Sequence, residues 1–386
     1  MSKRIAILGS SGSIGCNALE VIQHLGLPYR AIALGVHQNI DRLIEQARAH
    51  RPAAIAVADE SLTEQVKQQA QDLGAQIYIG EGGLVEMVCR DDVDMVLAAI
   101  VGAAGLRPVL AAVRAGKQLA LANKESLVVA GSLLIPEARR RGVQILPVDS
   151  EHSAIFQAMA AGRMSEIKRV ILTASGGPFR CADYHQIENA TLADALKHPT
   201  WQMGSKITID SATMFNKALE LIEACWLFDL PPEKIEIMVH PESVVHSMVE
   251  FVDGSVIAQL SPPDMRTPIQ YALTYPDRKP GIGRKLATGA KFSWNFEPPD
   301  MQRFPALRLG YEAARIRGTA GAILNAANET AVAAFIAGKI RFGMICRVVE
   351  LTIRAGQLQP EPTLDDLLEA DRWARATAAE ILKNAI

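Results

Sequence analysis

The sequence is poor in cysteine and in aromatic residues. Phenylalanine, tryptophan and tyrosine together make up 5% of the chain. Its five cysteines stand far apart, and no two of them have CxxC spacing: Cys16, Cys89, Cys181, Cys225 and Cys346. An odd number at such distances fits neither a disulfide framework nor a zinc site. We therefore expect free thiols in a reducing compartment and a cytoplasmic protein.

An excess of charge of one sign and long hydrophobic runs are also lacking. The formal net charge is −2 and no basic patch is dense, so no nucleic-acid partner is expected. No apolar run reaches the roughly 18 residues of a spanning helix, so no membrane partner is expected either. An apolar run at 5–8 follows the first residues directly, and we predict no signal or transit segment.

The first feature that is present is a glycine-rich turn between a strand pattern and a helix pattern. The turn reads GSSGSIG and consists of Gly9, Ser10, Ser11, Gly12, Ser13, Ile14 and Gly15. Glycines allow the backbone to approach a pyrophosphate, and a helix N-terminus offers free N–H groups to it. The spacing is GxxGxxG instead of GxGxxG, but its place in a βαβ unit predicts a dinucleotide site.

Strand and helix patterns alternate through the first 150 residues. This alternation predicts a doubly wound parallel sheet of the Rossmann type. The strands are expected near 5–8, 29–36, 53–57, 76–79, 95–100, 118–122 and 143–148.

The end of the second predicted strand lacks an acidic residue. NAD-binding units commonly hold the ribose hydroxyl with Asp or Glu at this position, whereas His37, Gln38 and Asn39 stand here. These side chains can donate hydrogen bonds to a 2′-phosphate, which favours NADP over NAD. The alternative is that they are ordinary loop residues.

Polar residues also follow the last two predicted strands of this region. Asn123 and Lys124 are candidate cofactor or substrate contacts, although Asn123 can also be the N-cap of a helix whose dipole Glu125 favours. Asp149 and Glu151 lie two residues apart, so in an extended segment both carboxylates point to the same side. Such a pair predicts a site for Mg²⁺ or Mn²⁺. A solvated acidic loop is the alternative.

The middle of the chain offers three more polar segments. A Ser-Gly-Gly turn at Ser175 can bind an anion or be an ordinary tight turn. The segment 198–204 carries large side chains without periodicity, and we interpret it as a lid, with packing onto another domain as the alternative. A short strand is expected at 207–209, followed by a helix that reaches about residue 227.

That helix places three polar side chains on one face. Asn216 and Lys217 precede Glu220 by four and three residues. A surface Lys–Glu pair is one interpretation. The other is that Glu220 supplies a third carboxylate to the metal, while Ser211, Asn216 and Lys217 donate to a phosphate.

The remainder of the chain changes character twice. Residues 275–299 are basic and rich in proline, which predicts an irregular connection. Helical patterns follow at 307–317, 325–337, 343–355 and 363–382. The polar residues Asn325 to Glu329 are interpreted as the start of a helix. The predicted domains are 1–149 for the nucleotide, 150–274 for catalysis, a linker at 275–300 and a helical domain at 301–386.

Six motifs, taken in order and spacing, resemble those of the 1-deoxy-D-xylulose 5-phosphate reductoisomerase family. They are GSSGSIG at 9–15, NKES at 123–126, PVDSEH at 147–152, SGGPF at 175–179, HPTWQMG at 198–204 and NKALE at 216–220. The resemblance extends over essentially the whole chain. One departure lies before Asn39, where the family commonly has a glycine and often a basic residue, and where this chain has His37 and Gln38.

The resemblance implies an NADPH-dependent enzyme of the non-mevalonate isoprenoid pathway that uses Mg²⁺ or Mn²⁺. It implies rearrangement and reduction of 1-deoxy-D-xylulose 5-phosphate to 2-C-methyl-D-erythritol 4-phosphate, a homodimer, and inhibition by fosmidomycin. Asp149, Glu151 and Glu220 are implied as metal ligands. Ser175, His198, Ser211, Asn216 and Lys217 are implied around the substrate, Lys124 and Ser150 at its oxygens near the metal, and Trp201 and Met203 in the lid. Asn123, Glu125 and Gly204 join the glycine-rich turn and 37–39 as cofactor-binding candidates.

Two other functions are compatible with a nucleotide domain: an NADP dehydrogenase of the semialdehyde or homoserine type, and a nucleotide-binding sensor. A semialdehyde dehydrogenase needs a nucleophilic cysteine, for which Cys181 and Cys225 are poor candidates, and a homoserine-type dehydrogenase does not need three converging carboxylates. An NADPH-binding redox sensor without catalysis would bind the nucleotide regardless of divalent metal.

Overall fold

The computed structural model describes residues 3–287, 289 and 291–384. Thr288 and Ala290 of the predicted linker, and the two residues at each end of the chain, lie outside this part. None of the described helices combines the length and the apolar character needed to cross a membrane.

Strands and helices alternate in the first half, and helices dominate the second. The strands are β1 Lys3–Leu8, β2 Tyr29–Val36, β3 Ala54–Val57, β4 Gln76–Ile79, β5 Met95–Ala98, β6 Gln118–Leu121, β7 Ile145–Pro147, β8 Ile167–Ala174, β9 Ile235–Val239, β10 Val245–Phe251 and β11 Val256–Leu260. The helices are α1 Ser13–Leu25, α2 Ile40–His50, α3 Thr63–Gln69, α4 Gly80–Val88, α5 Leu106–Arg114, α6 Lys124–Arg141, α7 Ser150–Met159, α8 Tyr184–Glu188, α9 Leu192–Ala195, α10 Ser205–Ala212, α11 Phe215–Leu227, α12 Arg266–Thr274, α13 Ala306–Ile316, α14 Ala320–Ile336, α15 Met344–Ala355 and α16 Leu364–Asn384.

The chain forms two compact units, each made of three segments. The first unit consists of Met1–Ser126, Leu134–Ser153 and Asp264–Gly283. The second consists of Leu127–Leu133, Ala154–Pro263 and Arg284–Ile386. The predicted domain boundaries do not coincide with these units, because 264–283 belongs to the first unit and the two predicted C-terminal domains share the second. Division by function into nucleotide, catalytic and helical parts therefore stays a prediction.

The first unit contains a seven-stranded sheet in the order β4-β3-β2-β1-β5-β6-β7, with every pairing parallel. The predicted doubly wound sheet is confirmed, with strands close to the expected positions. Ile5, Ile7 and Leu8 of the central strand have no exposed surface, as expected for a strand covered by helices on both faces. The strand order reverses between β1 and β5, and ligands of such sheets bind outside the strand ends at this point.

The segment that contains α12 completes the first unit. Ile269 and Leu273 of α12 are fully buried. The Lys3 ammonium donates to the carbonyl of Leu273 at 2.8 Å, and the Arg266 guanidinium lies 3.5 Å from the Glu20 carboxylate. Leu273 lies 270 residues after Lys3 in sequence, and its helix is nevertheless part of the same unit.

The second unit contains a four-stranded sheet in the order β11-β10-β8-β9. β8 and β9 are parallel, whereas β10 is antiparallel to both of its neighbours. Helices α13 to α16 pack into one hydrophobic core with this sheet and with α11. The four predicted C-terminal helices are confirmed, and the irregular connection is confirmed over its described residues after α12.

Two predictions about local structure are wrong. Residues 207–209, expected as a strand because two isoleucines flank a threonine, lie inside α10. The hydroxyl of Thr208 donates to the carbonyl of Gly204 at 2.9 Å, so a β-branched residue is accommodated in the helix. Asn325 to Glu329 do not start a helix but lie in the middle of α14, which begins at Ala320.

Candidate active site

The glycine-rich turn connects β1 to α1 at the predicted position. The backbone N–H groups of Gly9 and Ser10 donate to the carbonyl of Gly35 at 2.8 and 2.9 Å, which ties the turn to β2. Gly9 has φ of 84°, and a Cβ atom there would lie 2.5 Å from the carbonyl oxygen of Ala99. The backbone can follow this path only with glycine. Ser13 is the first residue of α1 and is exposed, so the helix N-terminus is open to an anion.

Gln46 of α2 supports this turn and was not expected from the sequence. Its side chain is buried, and Nε2 donates to the carbonyl of Ser10 at 2.8 Å. The sequence around Gln46 does not predict this contact, because Ser10 lies 36 residues earlier in the chain.

His37, Gln38 and Asn39 follow β2 and are exposed. The side chain of Asn39 accepts a hydrogen bond from the backbone N–H of Arg42 at 3.2 Å and thereby caps α2. The three side chains are open to solvent at the strand end where a 2′-phosphate is expected, so their assignment to the cofactor stays a prediction.

Asn123 has the capping role that was considered for it, and additional contacts. Its Oδ1 accepts from the backbone N–H of Ser126 at 3.1 Å, at the start of α6. Its Nδ2 donates to the carbonyl of Gly102 at 3.1 Å and to the carboxylate of Glu125 at 2.9 Å. Both side chains are buried. Asn123 therefore fixes the loop after β5 to the start of α6.

Lys124, which is buried, and Asp149, which is half-buried, form an ion pair in the first unit, with 2.7 Å between Nζ and Oδ2. Burial raises the pKa of the Asp149 carboxyl, but the charges of Lys124 and His152 and the hydrogen bonds to Lys124 and Glu151 lower it further than burial raises it. The net pKa is far below the usual value. Asp149 is therefore a carboxylate at neutral pH.

The geometry around Glu151 differs from the expected one. β7 ends at Pro147 and α7 begins at Ser150, so Asp149 and Glu151 do not share an extended segment. The turn into the helix nevertheless keeps their carboxylate oxygens within 4.8 Å of each other. The hydroxyl of Ser150 donates to Glu151 at 2.6 Å. His152, fully buried, also has a ring nitrogen within 4.8 Å of an Asp149 oxygen, and was not expected as a site residue.

In the second unit, His198 connects two serines from different elements. Its Nε2 lies 3.0 Å from the hydroxyl of Ser175, which follows β8, and 3.1 Å from that of Ser211 in α10. Its Nδ1 accepts from the backbone N–H groups of Thr200 and Trp201 at 3.2 and 2.9 Å. Nδ1 is therefore the acceptor and Nε2 carries the proton in the neutral ring. Burial lowers the pKa of His198 to about 4.

The Ser175 turn packs closely against α10. Gly176 and Gly177 have φ of 82° and 66°. A Cβ atom at Gly177 would lie 2.7 Å from the carbonyl oxygen of Ser211. The backbone N–H of Gly177 donates to the hydroxyl of Ser175 at 3.2 Å. The two glycines thus allow three hydrogen-bonding side chains to meet at this turn.

Asn216, Lys217 and Glu220 share one face of α11, as their spacing predicts. Both Asn216 and Lys217 donate to the carboxylate of Glu220. The side chains of Lys217 and Glu220 are only 4% and 1% exposed, so the pair is not the surface ion pair that was the alternative. A buried carboxylate is costly unless it is paired, and here one ammonium and one amide face it.

The segment 198–204 is irregular, as expected. Trp201 lies with its ring centroid 6.3 Å from that of His246, and the hydroxyl of Thr200 lies 3.4 Å from that of Ser243. Gly204 ends the segment as the N-cap of α10, and Met203 is half-buried. These contacts are compatible with a lid and with simple packing, so the lid stays a prediction.

Comparison with known proteins covers nearly all of the chain. Models of three 1-deoxy-D-xylulose 5-phosphate reductoisomerase domains match residues 5–131, 145–228 and 260–377. The reductoisomerase of Chlorobaculum tepidum is 50% identical over 98% of this chain and 100% of its own length. That of Nitrobacter winogradskyi is 49% identical over 98% and 94%.

The chain belongs to the 1-deoxy-D-xylulose 5-phosphate reductoisomerase family. Solved structures of the family have the same fold. The reductoisomerase of Zymomonas mobilis in complex with NADPH is 43% identical, with a TM-score of 0.93 over 99% of both chains. A reductoisomerase in complex with NADPH, fosmidomycin and magnesium, also 43% identical, has a TM-score of 0.94 over 99% of this chain and 98% of its own. The family expected from the six motifs is confirmed.

Proposed function

We propose that this protein converts 1-deoxy-D-xylulose 5-phosphate to 2-C-methyl-D-erythritol 4-phosphate with NADPH and a divalent metal. The observation that carries the proposal is the Lys124–Asp149 ion pair, with the Glu151 carboxylate beside it after the end of a parallel strand. Family membership over the whole chain supports it, as do the magnesium and NADPH complexes of the related reductoisomerases. The reaction places this enzyme in isoprenoid precursor synthesis by the non-mevalonate route.

Asp149, Glu151 and Glu220 are the proposed metal ligands. The donor set consists of carboxylate oxygens, which Mg²⁺ and Mn²⁺ prefer, and Asp149 is ionised at neutral pH. When bound, the metal supplies polarisation of the ketone and of the neighbouring hydroxyl, which eases rearrangement of the carbon skeleton. Lys124 holds the position and charge of Asp149, and Lys217 and Asn216 hold those of Glu220.

The phosphate of the substrate is proposed to bind at the hydroxyls of Ser175 and Ser211, with Asn216 and Lys217 as further donors. Because the Nδ1 atom of His198 is occupied by two N–H donors, its Nε2–H is directed at this site as a donor. A neutral imidazole suits this task, since it donates without needing a proton from solvent. Lys124 and Ser150 are proposed to contact the substrate oxygens near the metal, and Trp201 and Met203 to cover the substrate.

The nucleotide is proposed to bind at the glycine-rich turn and the N-terminus of α1, with the adenosine end at His37, Gln38 and Asn39. Asn123 orients the loop at Gly102, and Glu125 in turn orients Asn123. Gly204 completes the proposed cofactor contacts. Remote binding of phosphate and nucleotide can fix the reacting atoms and exclude water from the aldehyde before hydride reaches it.

Assembly and location complete the proposal. The enzyme is proposed to be a cytoplasmic homodimer that also accepts Mn²⁺ and binds fosmidomycin. The fosmidomycin complexes of related reductoisomerases support the inhibitor assignment. The widely spaced free cysteines are consistent with a reducing compartment.

The decisive experiment measures loss of NADPH absorbance with 1-deoxy-D-xylulose 5-phosphate, first with Mg²⁺ or Mn²⁺ and then with EDTA. We expect turnover that needs the metal. Glu220→Gln should abolish turnover and leave NADPH affinity nearly unchanged, because the charge of a metal ligand is lost while the nucleotide residues are intact. The matched control is Glu233→Gln, which removes an exposed carboxylate paired with Arg315 in the same unit.

One result would contradict the proposed reaction, and another would contradict only the proposed metal site. Binding of NADPH without consumption under all metal conditions would favour a nucleotide sensor or another dehydrogenase. Normal turnover in Glu220→Gln would remove Glu220 from the metal site but leave the reaction assigned.

A further inference from the structure

A buried polar contact joins α10 to α14. The amide of Asn328 donates to Oδ1 of Asp210 at 2.8 Å, and the ammonium of Lys206 lies 2.8 Å from Oδ2. Asp210 is 1% exposed and Asn328 is fully buried. A carboxylate can only accept, so the NH2 group of Asn328 must face it.

Asp210 directly precedes Ser211, whose hydroxyl contacts His198. Neighbouring residues of a helix point about 100° apart around its axis. One side chain of this pair can therefore be fixed to α14 while the other reaches the Ser175 turn. α10 is short, with eight residues, and begins at the end of the segment 198–204. Its rotation about its axis determines where the Ser211 hydroxyl lies.

We propose that Asp210 and Asn328 are positioning residues for the phosphate end of the substrate site. Their hydrogen bond, which joins α10 to α14, fixes how α10 is rotated about its axis and where it lies along that axis, and this determines the position of Ser211. Lys206 neutralises the buried charge from one turn earlier on the same helix. This inference rests on the proposed function, in which Ser211 contacts the phosphate.

This proposal explains why the segment from Asn325 to Glu329 is polar although it lies inside a helix and does not start one. Asn328 faces α10, whereas Asn325 donates to Glu329 at 3.2 Å, and Glu329 is paired with Arg375 of α16 at 2.6 Å. The two asparagines lie less than one turn apart and are both fully buried. Only Asn328 of the two contacts α10 through a hydrogen bond found among the described residues.

This difference provides a matched pair of variants. Asn328→Ala should raise KM for 1-deoxy-D-xylulose 5-phosphate about tenfold, because the Ser211 hydroxyl is then no longer held in position for the phosphate. The effect on kcat should be smaller, and Kd for NADPH should not change. Asn325→Ala removes an equally buried amide from the same helix, and should lower Tm to a similar extent while leaving KM near the wild-type value.

An exchange of the two residues tests the hydrogen bond itself. Asn328→Asp alone places two carboxylates in contact and should raise KM more than Asn328→Ala does. Combined with Asp210→Asn, it restores one donor and one acceptor, and KM should return toward the wild-type value. This comparison stays informative if Asn328→Ala fails to fold, because the double variant keeps the size and polarity of both positions.

The proposal is overturned if Asn328→Ala and Asn325→Ala change KM equally, or if the double variant shows no recovery relative to Asn328→Asp. Either result would leave Asn328 with a structural role only. Failure of the proposed function is a separate result, since in that case the wild-type protein itself would not oxidise NADPH with this substrate.

Discussion

At the scale of single residues, the site depends on how buried polar groups are paired. Lys124 and Asp149, like Lys217 and Glu220, place a cation against two of the three carboxylates that are proposed to bind the metal. A substitution that removes one partner of such a pair leaves the other charge buried without compensation. His198 follows another principle, because its neighbours are hydroxyl and N–H groups and burial keeps it neutral.

The protonation of His198 can be measured. We expect its NMR titration to show the Nε2–H tautomer and a midpoint near pH 4 in the folded protein. In the unfolded chain the pKa of His198 returns to its ordinary value of about 6.5, so below that pH the unfolded state binds the proton more readily than the folded state does. The contribution of neutral His198 to stability is therefore present above about pH 6.5 and is lost as pH falls toward about 4.

His198→Gln identifies the signal in the spectrum, since only that resonance should disappear. A midpoint near the ordinary value, or a protonated Nδ1, would contradict the hydrogen-bond assignment. In that case His198 would carry a charge into the proposed phosphate site at mildly acidic pH.

How far sequence predicts residue contacts depends on how far apart the partners lie. The contacts of Asn216 and Lys217 with Glu220 follow from helical spacing and were predicted. The contact of His198 with Ser175 joins residues 23 apart, and that of Asn328 with Asp210 joins residues 118 apart. No local periodicity encodes such pairs, because they depend on how elements pack.

At the scale of elements, strand and helix patterns identified most boundaries to within a few residues. The exception at 207–209 shows the limit. A short apolar β-branched stretch fits a strand as well as a buried helix, and packing decides between them. Here Ile209 is fully buried, while Thr208 donates back to Gly204 within the helix.

Two helical glycines give a stability test at this scale. In α6, a Cβ atom at Gly131 would overlap the indole ring of Trp226, whereas a Cβ atom at Gly82 in α4 would meet no atom within 4 Å. We expect Gly131→Ala to destabilise the protein by about 1 to 3 kcal/mol through overpacking. Gly82→Ala should stabilise it by about 0.5 to 1 kcal/mol through lower chain entropy.

Denaturant unfolding of the two variants beside the wild type measures both changes. Both variants replace glycine with alanine in a helix. If their changes in the free energy of unfolding differ in sign, the cause is therefore the packing around each position. Equal effects would mean that Trp226 moves aside freely and that the α6 position is not tightly packed.

At the scale of the whole molecule, each compact unit is assembled from separate stretches of chain. The first unit is incomplete without Asp264–Gly283, whose helix α12 buries Ile269 and Leu273. Sequence patterns placed a helix-rich region and a basic connection near this point, but could not show that α12 returns to the first unit. Such a return depends on tertiary contacts alone.

A fragment of residues 1–153 should therefore be poorly stable. Each buried Ile or Leu of α12 contributes about 1.5 to 3 kcal/mol, and the fragment would also expose the surface that α12 covers. We expect lower Tm and stronger binding of a hydrophobic dye than in the same fragment fused to 264–283 by a flexible linker. Identical melting of the two proteins would show that α12 is dispensable.

The interruption of the first unit has a consequence for synthesis on the ribosome. After residue 153 emerges, another 130 residues must be translated before Gly283 is available. At common elongation rates this interval is roughly 6 to 26 seconds. During that time the nascent seven-stranded sheet lacks one of its covering helices, and a chaperone that shields apolar surface can bind there. Moving 264–283 next to residue 153 by gene rearrangement would remove the interval without altering a single side chain.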